Sequence, residues 1–168
     1  MEFLRSLENS GFGVWVRESG SLWSYPTIIF LHSLGLTFLV GVNAAIDLRL
    51  LGFAPRLPLP PLERLFPIMW LGFWINAVSG VALTITDAAT MLISPIFYTK
   101  MAFIVLAVVN MVLIRKHLLR TAPPEVYTVS AKARVLAATS LVFWAGAITA
   151  GRLTAYLGPA VGLNVLGR

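Results

Sequence analysis

His32, Asp87, Lys100 and Arg152 are the residues of this chain whose types and positions promise the most chemistry, because each stands near the same end of a long apolar segment. A charged side chain at membrane depth costs a few kcal/mol unless it is paired or hydrated, so ionisable groups in such places are candidates for function. At a rise of ~1.5 Å per helical residue, His32 lies roughly 9 Å past Pro26, Lys100 roughly 7 Å past Pro95, and Arg152 roughly 9 Å before Gly158. Asp87 closes its segment at that same end. A Lys, an Arg and an Asp together leave one excess positive charge, which suits an anionic or oxygen-bearing ligand: a haem propionate, a phosphate or a quinone. The four residues form the candidate ligand-binding set, with His32 as the candidate metal ligand. A plainer reading stands beside this one. Lys100 and Arg152 would snorkel to lipid phosphates, Asp87 would be a hydrated helix end, and His32 would hydrogen-bond a neighbouring helix.

The elements that must position these groups are set by composition. With 58% hydrophobic and 12% charged residues and a mean hydropathy of +0.83, the chain reads as an integral membrane protein. A spanning helix needs roughly 20 mostly apolar residues. Such stretches run over Pro26 to Ile46, Phe66 to Thr86, Ile96 to Ile114 and Val135 to Ala155. The expectation is an all-α, four-helix membrane bundle forming one domain over residues 1–168. An interfacial segment over 1–24 precedes helices at about 25–51, 64–88, 95–119 and 133–157, and a short tail covers 158–168. The first apolar span is too long and too late for a secretory signal, so the first helix is expected to be retained. Phe3, Leu4 and Leu7 share one face of a possible amphipathic helix, and Trp15, Trp23 and Tyr25 are placed to anchor at the membrane interface.

Turn chemistry marks the connections. Gly52, Pro55 and the Pro58, Pro60, Pro61 run end the first helix, Pro123 and Pro124 break the chain before the last, and Gly158 with Pro159 is expected to close it. Arg49, Arg56, Arg64, Arg115, Lys116, Arg120, Lys132 and Arg134 fall in or beside two loops on one side, against Arg5, Arg17, Lys100, Arg152 and Arg168 on the other. By the positive-inside rule both termini then face the outer, periplasmic side of a bacterial inner membrane. The net charge of +6 is this topology signal together with attraction to anionic lipid, and gives no support to nucleic-acid binding.

Helical phase groups the polar residues further. His32, Gly35, Leu39, Asn43 and Asp47 fall on one face of the first helix, and Gly72, Asn76, Ser79, Gly80, Leu83 and Asp87 on one face of the second. Asn43, Asn76 and Asn110 read as a second, deeper polar layer of structural hydrogen bonds. Gly146, Ala147, Ala150 and Gly151 permit close approach within the bundle or in a homo-oligomer. The two histidines, His32 and His117, are separated by nearly the ~30 Å of a hydrocarbon core and cannot bind one haem iron within a chain. Haem would therefore use His32 alone, His32 from two copies, or a Met partner. His117, within Arg115-Lys116-His117, reads as a solvated helix end. Cysteine is absent, which excludes disulfides and cysteine-ligated clusters. No Ser/His/Asp set, paired catalytic carboxylates or phosphate loop is visible, so catalysis by this chain alone is not expected.

Leu31-His32-Ser33-Leu34-Gly35, Gly41, Asp47-Leu48-Arg49-Leu50-Leu51-Gly52, Phe97 to Lys100, Asn110 and Gly151-Arg152-Leu153-Thr154-Ala155-Tyr156 span most of the membrane portion. In these residues the chain resembles a domain-of-unknown-function family of small bacterial four-helix inner-membrane proteins. More distantly, its first helix is similar to that of copper-resistance D-type membrane proteins, although the further His and Met positions of a copper path are few. The nearer resemblance implies a fold and marked positions without an activity. The function expected is a non-catalytic membrane subunit with an outer polar site for a small ligand, haem or quinone, serving a redox or transport partner. The alternative is a structural or assembly subunit of a larger membrane complex or homo-oligomer, with no ligand of its own.

Overall fold

The computed structural model describes residues 2–53, 55–57, 60–121 and 129–165; within its helices the side chains of Pro60, Glu63, 117–121, Ala155 and 157–165 are outside that set. All regular structure among these residues is helical. Two short helices come first, α1 (Glu2–Glu8) and α2 (Gly11–Glu18), followed by the long α3 (Tyr25–Leu51). One turn, α4 (Pro60–Glu63), leads into α5 (Phe66–Thr86), and another, α6 (Ala88–Met91), leads into α7 (Pro95–Thr121). The last helix is α8 (Ala131–Val165). The helices over Tyr25–Leu51, Phe66–Thr86, Pro95–Lys116 and Ala131–Thr154 are long and apolar enough to cross a membrane.

Helix ends follow local chemistry. Proline stands in the first turn of α3 and α5 and opens α7, where its missing N–H would have lacked a partner anyway. Gly52 ends α3 at φ 104°, a left-handed conformation that a side chain resists. Its N–H donates to the Arg49 carbonyl and that of Phe53 to the Leu48 carbonyl, at 3.2 and 3.0 Å, the paired bonds of a Schellman cap. One expected stop does not occur: α8 runs through Gly158 and Pro159 to Val165. A proline removes one N–H and crowds one carbonyl, which weakens a helix locally, but its fixed φ is itself helical and the chain can continue past it. The breaks expected at Pro58, Pro123 and Pro124 lie outside the described residues.

The four long helices pack in the order α5, α3, α8, α7. α3 lies along α5 and α7 along α8, and the two hairpins meet through α3 and α8, whereas α5 and α7 touch little. The core that joins them contains Leu39, Ile46 and Leu50 of α3, Phe66 and Met69 of α5, Met111 and Ile114 of α7, and Trp144 and Ala147 of α8. Large apolar side chains also point outward, including Leu71, Trp74, Val78, Val81, Val105, Val109 and Val142, as a surface facing lipid rather than water allows. The small residues of α8 serve the bundle itself: Ala147 and Ala150 are buried, and Gly146 lies against the Phe103 ring. α1 and α2 close one end. The Arg17 guanidinium donates to the Thr86 and Glu8 carbonyls at 2.9 and 2.8 Å, satisfying a carbonyl at the end of α5 that the helix leaves open. The Glu8 carboxylate accepts from the Ala89 N–H at 3.3 Å. Trp15, Trp23 and Tyr25 are exposed at this same end.

Candidate functional site

The site is built on the crossing of α3 and α5. A Cβ placed on Gly35 would stand 2.6 Å from the Asn76 nitrogen and 2.8 Å from the Gly72 oxygen, and one on Gly72 would stand 2.8 Å from the Gly35 oxygen. The backbones are therefore in direct contact, an approach only glycine permits. One turn from this crossing, His32 of α3 meets Asn76 and Ser79 of α5. The Asn76 carboxamide donates to the His32 backbone carbonyl at 2.8 Å. In return, His32 Nδ1 lies 3.1 Å from the Asn76 backbone carbonyl and 3.1 Å from the Ser79 hydroxyl.

The shorter of these contacts favour one tautomer over the other, in which Nδ1 would accept from the Asn76 carboxamide at 3.4 Å. A carbonyl can only accept, and the Ser79 hydroxyl donates within its own helix, to the Ile75 carbonyl at 2.6 Å. In the neutral imidazole Nδ1 thus carries the proton and Nε2 the lone pair. Nε2 has no hydrogen-bond partner among the described residues. On the other flank the ring meets Gly80, where a Cβ would stand 3.2 Å from Cε1. Lys100, half-buried at the start of α7, is near enough for its charge to be felt at this imidazole. Its methylenes run along α8, with Cε 3.6 Å from where a Gly151 Cβ would be. Its ammonium makes no hydrogen bond or ion pair among the described residues; the ion pair found there joins Arg17 and Glu8.

The other two members of the expected set are elsewhere. Arg152 does not anchor the site and does not pair with Asp87: it is exposed, with no partner among the described residues. Consecutive positions of a helix point about 100° apart. With Gly151 turned to Lys100, Arg152 is turned out of the bundle. Asp87 belongs with the N-terminal helices, where its neighbours are Thr90, Glu8 and Arg17.

Burial is the main cause that pushes the Asp87 carboxyl above its ordinary value of 3.8; Glu8 adds to this, while the Thr90 hydroxyl and Arg17 oppose it. A carboxyl raised in the folded state holds its proton better folded than unfolded. Its contribution to stability therefore falls as pH rises from the ordinary value through the raised one, and stays unfavourable at neutral pH. Asp87→Asn is expected to flatten the pH dependence of thermal stability in that window and to raise the melting temperature slightly at neutral pH. Parallel melting curves for parent and variant across the window would count against this.

The three asparagines do not form one layer. Asn76 belongs to the His32 cluster, whereas Asn43 and Asn110 both engage α8 further along the bundle. Asn110 donates to the Leu136 carbonyl and the Thr139 hydroxyl at 2.8 and 3.0 Å. Asn43 donates to Asp47 Oδ2 at 2.6 Å and to the Ser140 hydroxyl at 2.7 Å. Asp47 is wholly buried, and its Oδ1 has no partner among the described residues. It was outside the candidate set; its spacing of four from Asn43, on one helical face, is the signal that could have admitted it.

Among the described residues no group of three or more His, Asp and Glu is placed to hold a metal ion. His32 contributes one nitrogen, and Asp87 is held by other partners. The side chain of His117 is outside the described residues. The site is thus an oriented imidazole and an ammonium whose charge reaches it, with neither Nε2 nor the ammonium partnered among the described residues, within helices able to span a membrane. No family model, curated protein or solved structure matches the chain.

Proposed function

We propose that this chain is a non-catalytic subunit of a bacterial inner-membrane assembly, with both termini periplasmic, that holds a small redox ligand at His32 and Lys100 for a partner protein. The observation that carries the proposal is the hydrogen bonding of His32. Asn76 and Ser79 occupy Nδ1 and leave Nε2, an acceptor, on the α3 side of a site to which α7 brings Lys100, a donor and a cation whose charge reaches the imidazole. A quinone matches that pair: its carbonyl oxygen accepts from the ammonium, and in the quinol form its hydroxyl donates to Nε2. The topology rests on the basic residues of the two loops between the long helices. The family membership that the motifs suggest belongs to the same proposal.

Haem is the second reading, favoured by the Nδ1–H bond to a backbone carbonyl, which is how an iron-ligating histidine is commonly oriented. His32 would supply one axial nitrogen and Lys100 would meet a propionate. The remaining axial position would need another donor.

Protein purified in mild detergent is expected to carry an extractable quinone above the level in a matched detergent control, or to show a Soret band if haem is the ligand. His32→Leu and Lys100→Met should each lower occupancy roughly ten- to hundredfold, the worth of one hydrogen bond to a charged or strongly polarised group. Purified protein with neither ligand, or variants that retain it in full, would leave the structural or assembly role as the better description.

A further inference from the structure

A second site lies at the opposite end of the bundle, where α5 begins and the membrane-crossing part of α7 ends. Phe66 and Trp70 of α5 and Met111, Val112, Arg115 and Lys116 of α7 line a groove of about 230 Å³. The spacings are those of one face on each helix: four residues separate Phe66 from Trp70, Met111 from Arg115, and Val112 from Lys116. Phe66 and Met111 are buried and make the floor, Trp70 and Val112 are half-buried and make the walls, and Arg115 and Lys116 are exposed at the rim. The Arg115 guanidinium stands 5.6 Å from the centre of the Phe66 ring, a cation–π contact that holds the charge over the groove. Neither rim cation makes an ion pair or hydrogen bond to the described residues. The groove exists because α5 and α7 face each other at this end without packing tightly together: they touch little along their length.

We infer that this groove binds an anionic phospholipid, with an acyl chain against Phe66, Trp70, Met111 and Val112 and the headgroup phosphate on Arg115 and Lys116. Two features commit the site to a lipid. The floor and walls are apolar, which a free phosphate would not use, and the cations stand where the apolar, membrane-crossing part of α7 ends, the position along a spanning helix that meets lipid headgroups. Basic pockets between membrane helices select anionic headgroups, each Lys or Arg contributing about fivefold in affinity. A zwitterionic lipid presents the same phosphate with its charge cancelled. The inference is independent of the His32 site.

The test uses the full chain in detergent and native mass spectrometry, with phosphatidylglycerol and phosphatidylcholine of identical acyl chains. The parent is expected to retain phosphatidylglycerol several-fold over phosphatidylcholine. Arg115→Gln/Lys116→Gln should abolish that preference. Val112→Trp, which fills the groove and keeps both cations, should reduce retention of phosphatidylglycerol. Equal retention of the two lipids by the parent overturns the inference, as does a preference that survives the double substitution. Undiminished retention by a Val112→Trp variant that melts like the parent overturns it too, since general surface charge would then suffice. Displacement of the lipid by excess inorganic phosphate would identify an anion site with no use for the acyl chain, and would also overturn it. If Val112→Trp does not fold, the double substitution decides alone.

Discussion

Gly72→Ala is expected to destabilise the protein by about 1–3 kcal/mol, as overpacking of a close interior contact does. The added methyl would stand 2.8 Å from the Gly35 oxygen and 2.8 Å from the Leu39 nitrogen. Both are backbone atoms of α3 and cannot turn aside as a flexible side chain would, so the helices must separate. His32 and Asn76 sit one turn from that contact and would lose their bonds as α3 and α5 part. Gly41→Ala is the matched control, since a Cβ there meets nothing within 4 Å. It should be neutral or slightly stabilising, as alanine is the better helix former. Unfolding of both variants in mixed micelles checks the pair. Equal stabilities would mean that α3 and α5 do not depend on the glycine contact.

Asn43→Leu should be as damaging, at about 1–3 kcal/mol, and for a different reason. Its amide is the donor to Asp47 Oδ2 and to the Ser140 hydroxyl, in a place where Asp47 Oδ1 has no partner among the described residues. Removing the donor leaves a buried carboxyl group poorly satisfied, and the penalty is that of desolvation without a bond. The double variant Asn43→Leu/Asp47→Leu removes donor and acceptor together and should recover most of the loss. A double variant no more stable than Asn43→Leu alone would refute this account. Ser140, left alone, could still bond to its own helix as the other hydroxyls here do.

The spans of the long helices could be read from apolar length and proline placement, and the small, polar face of α5 from its period. Relative placement could not. Depth counted from a helix breaker ignores the stagger between neighbours, which is why Asn76, grouped by depth with Asn43, instead meets His32. Depth alone puts Arg152 in the outer layer, whereas its phase relative to Gly151 turns it outward. Pro159 carries the signal of a helix stop, yet α8 continues past it to Val165, since a proline removes one N–H and its fixed φ is itself helical. Arg17 gave no signal, because Thr86, the residue it caps, is remote in sequence and the contact exists only once α2 has folded over α5. Asp47 shares the polar face of α3 with Asn43, but that it is fully enclosed depends on Ser140 of α8, which the sequence does not place beside it.

The order of the long helices makes the molecule two pieces joined at one seam. α3 and α5 form one hairpin, α7 and α8 the other, and α3 against α8 is the main contact between them. His32 belongs to the first piece and Lys100 to the second, so neither hairpin owns the site. A molecule that touched both side chains would act as a clasp across the seam, and whatever free energy it gained on binding would be added to the docking of the halves. Occupancy and assembly are then the same equilibrium seen from two sides: anything that loosens the seam, even at Asn43 and Ser140, empties the site, and anything that fills the site holds the seam closed.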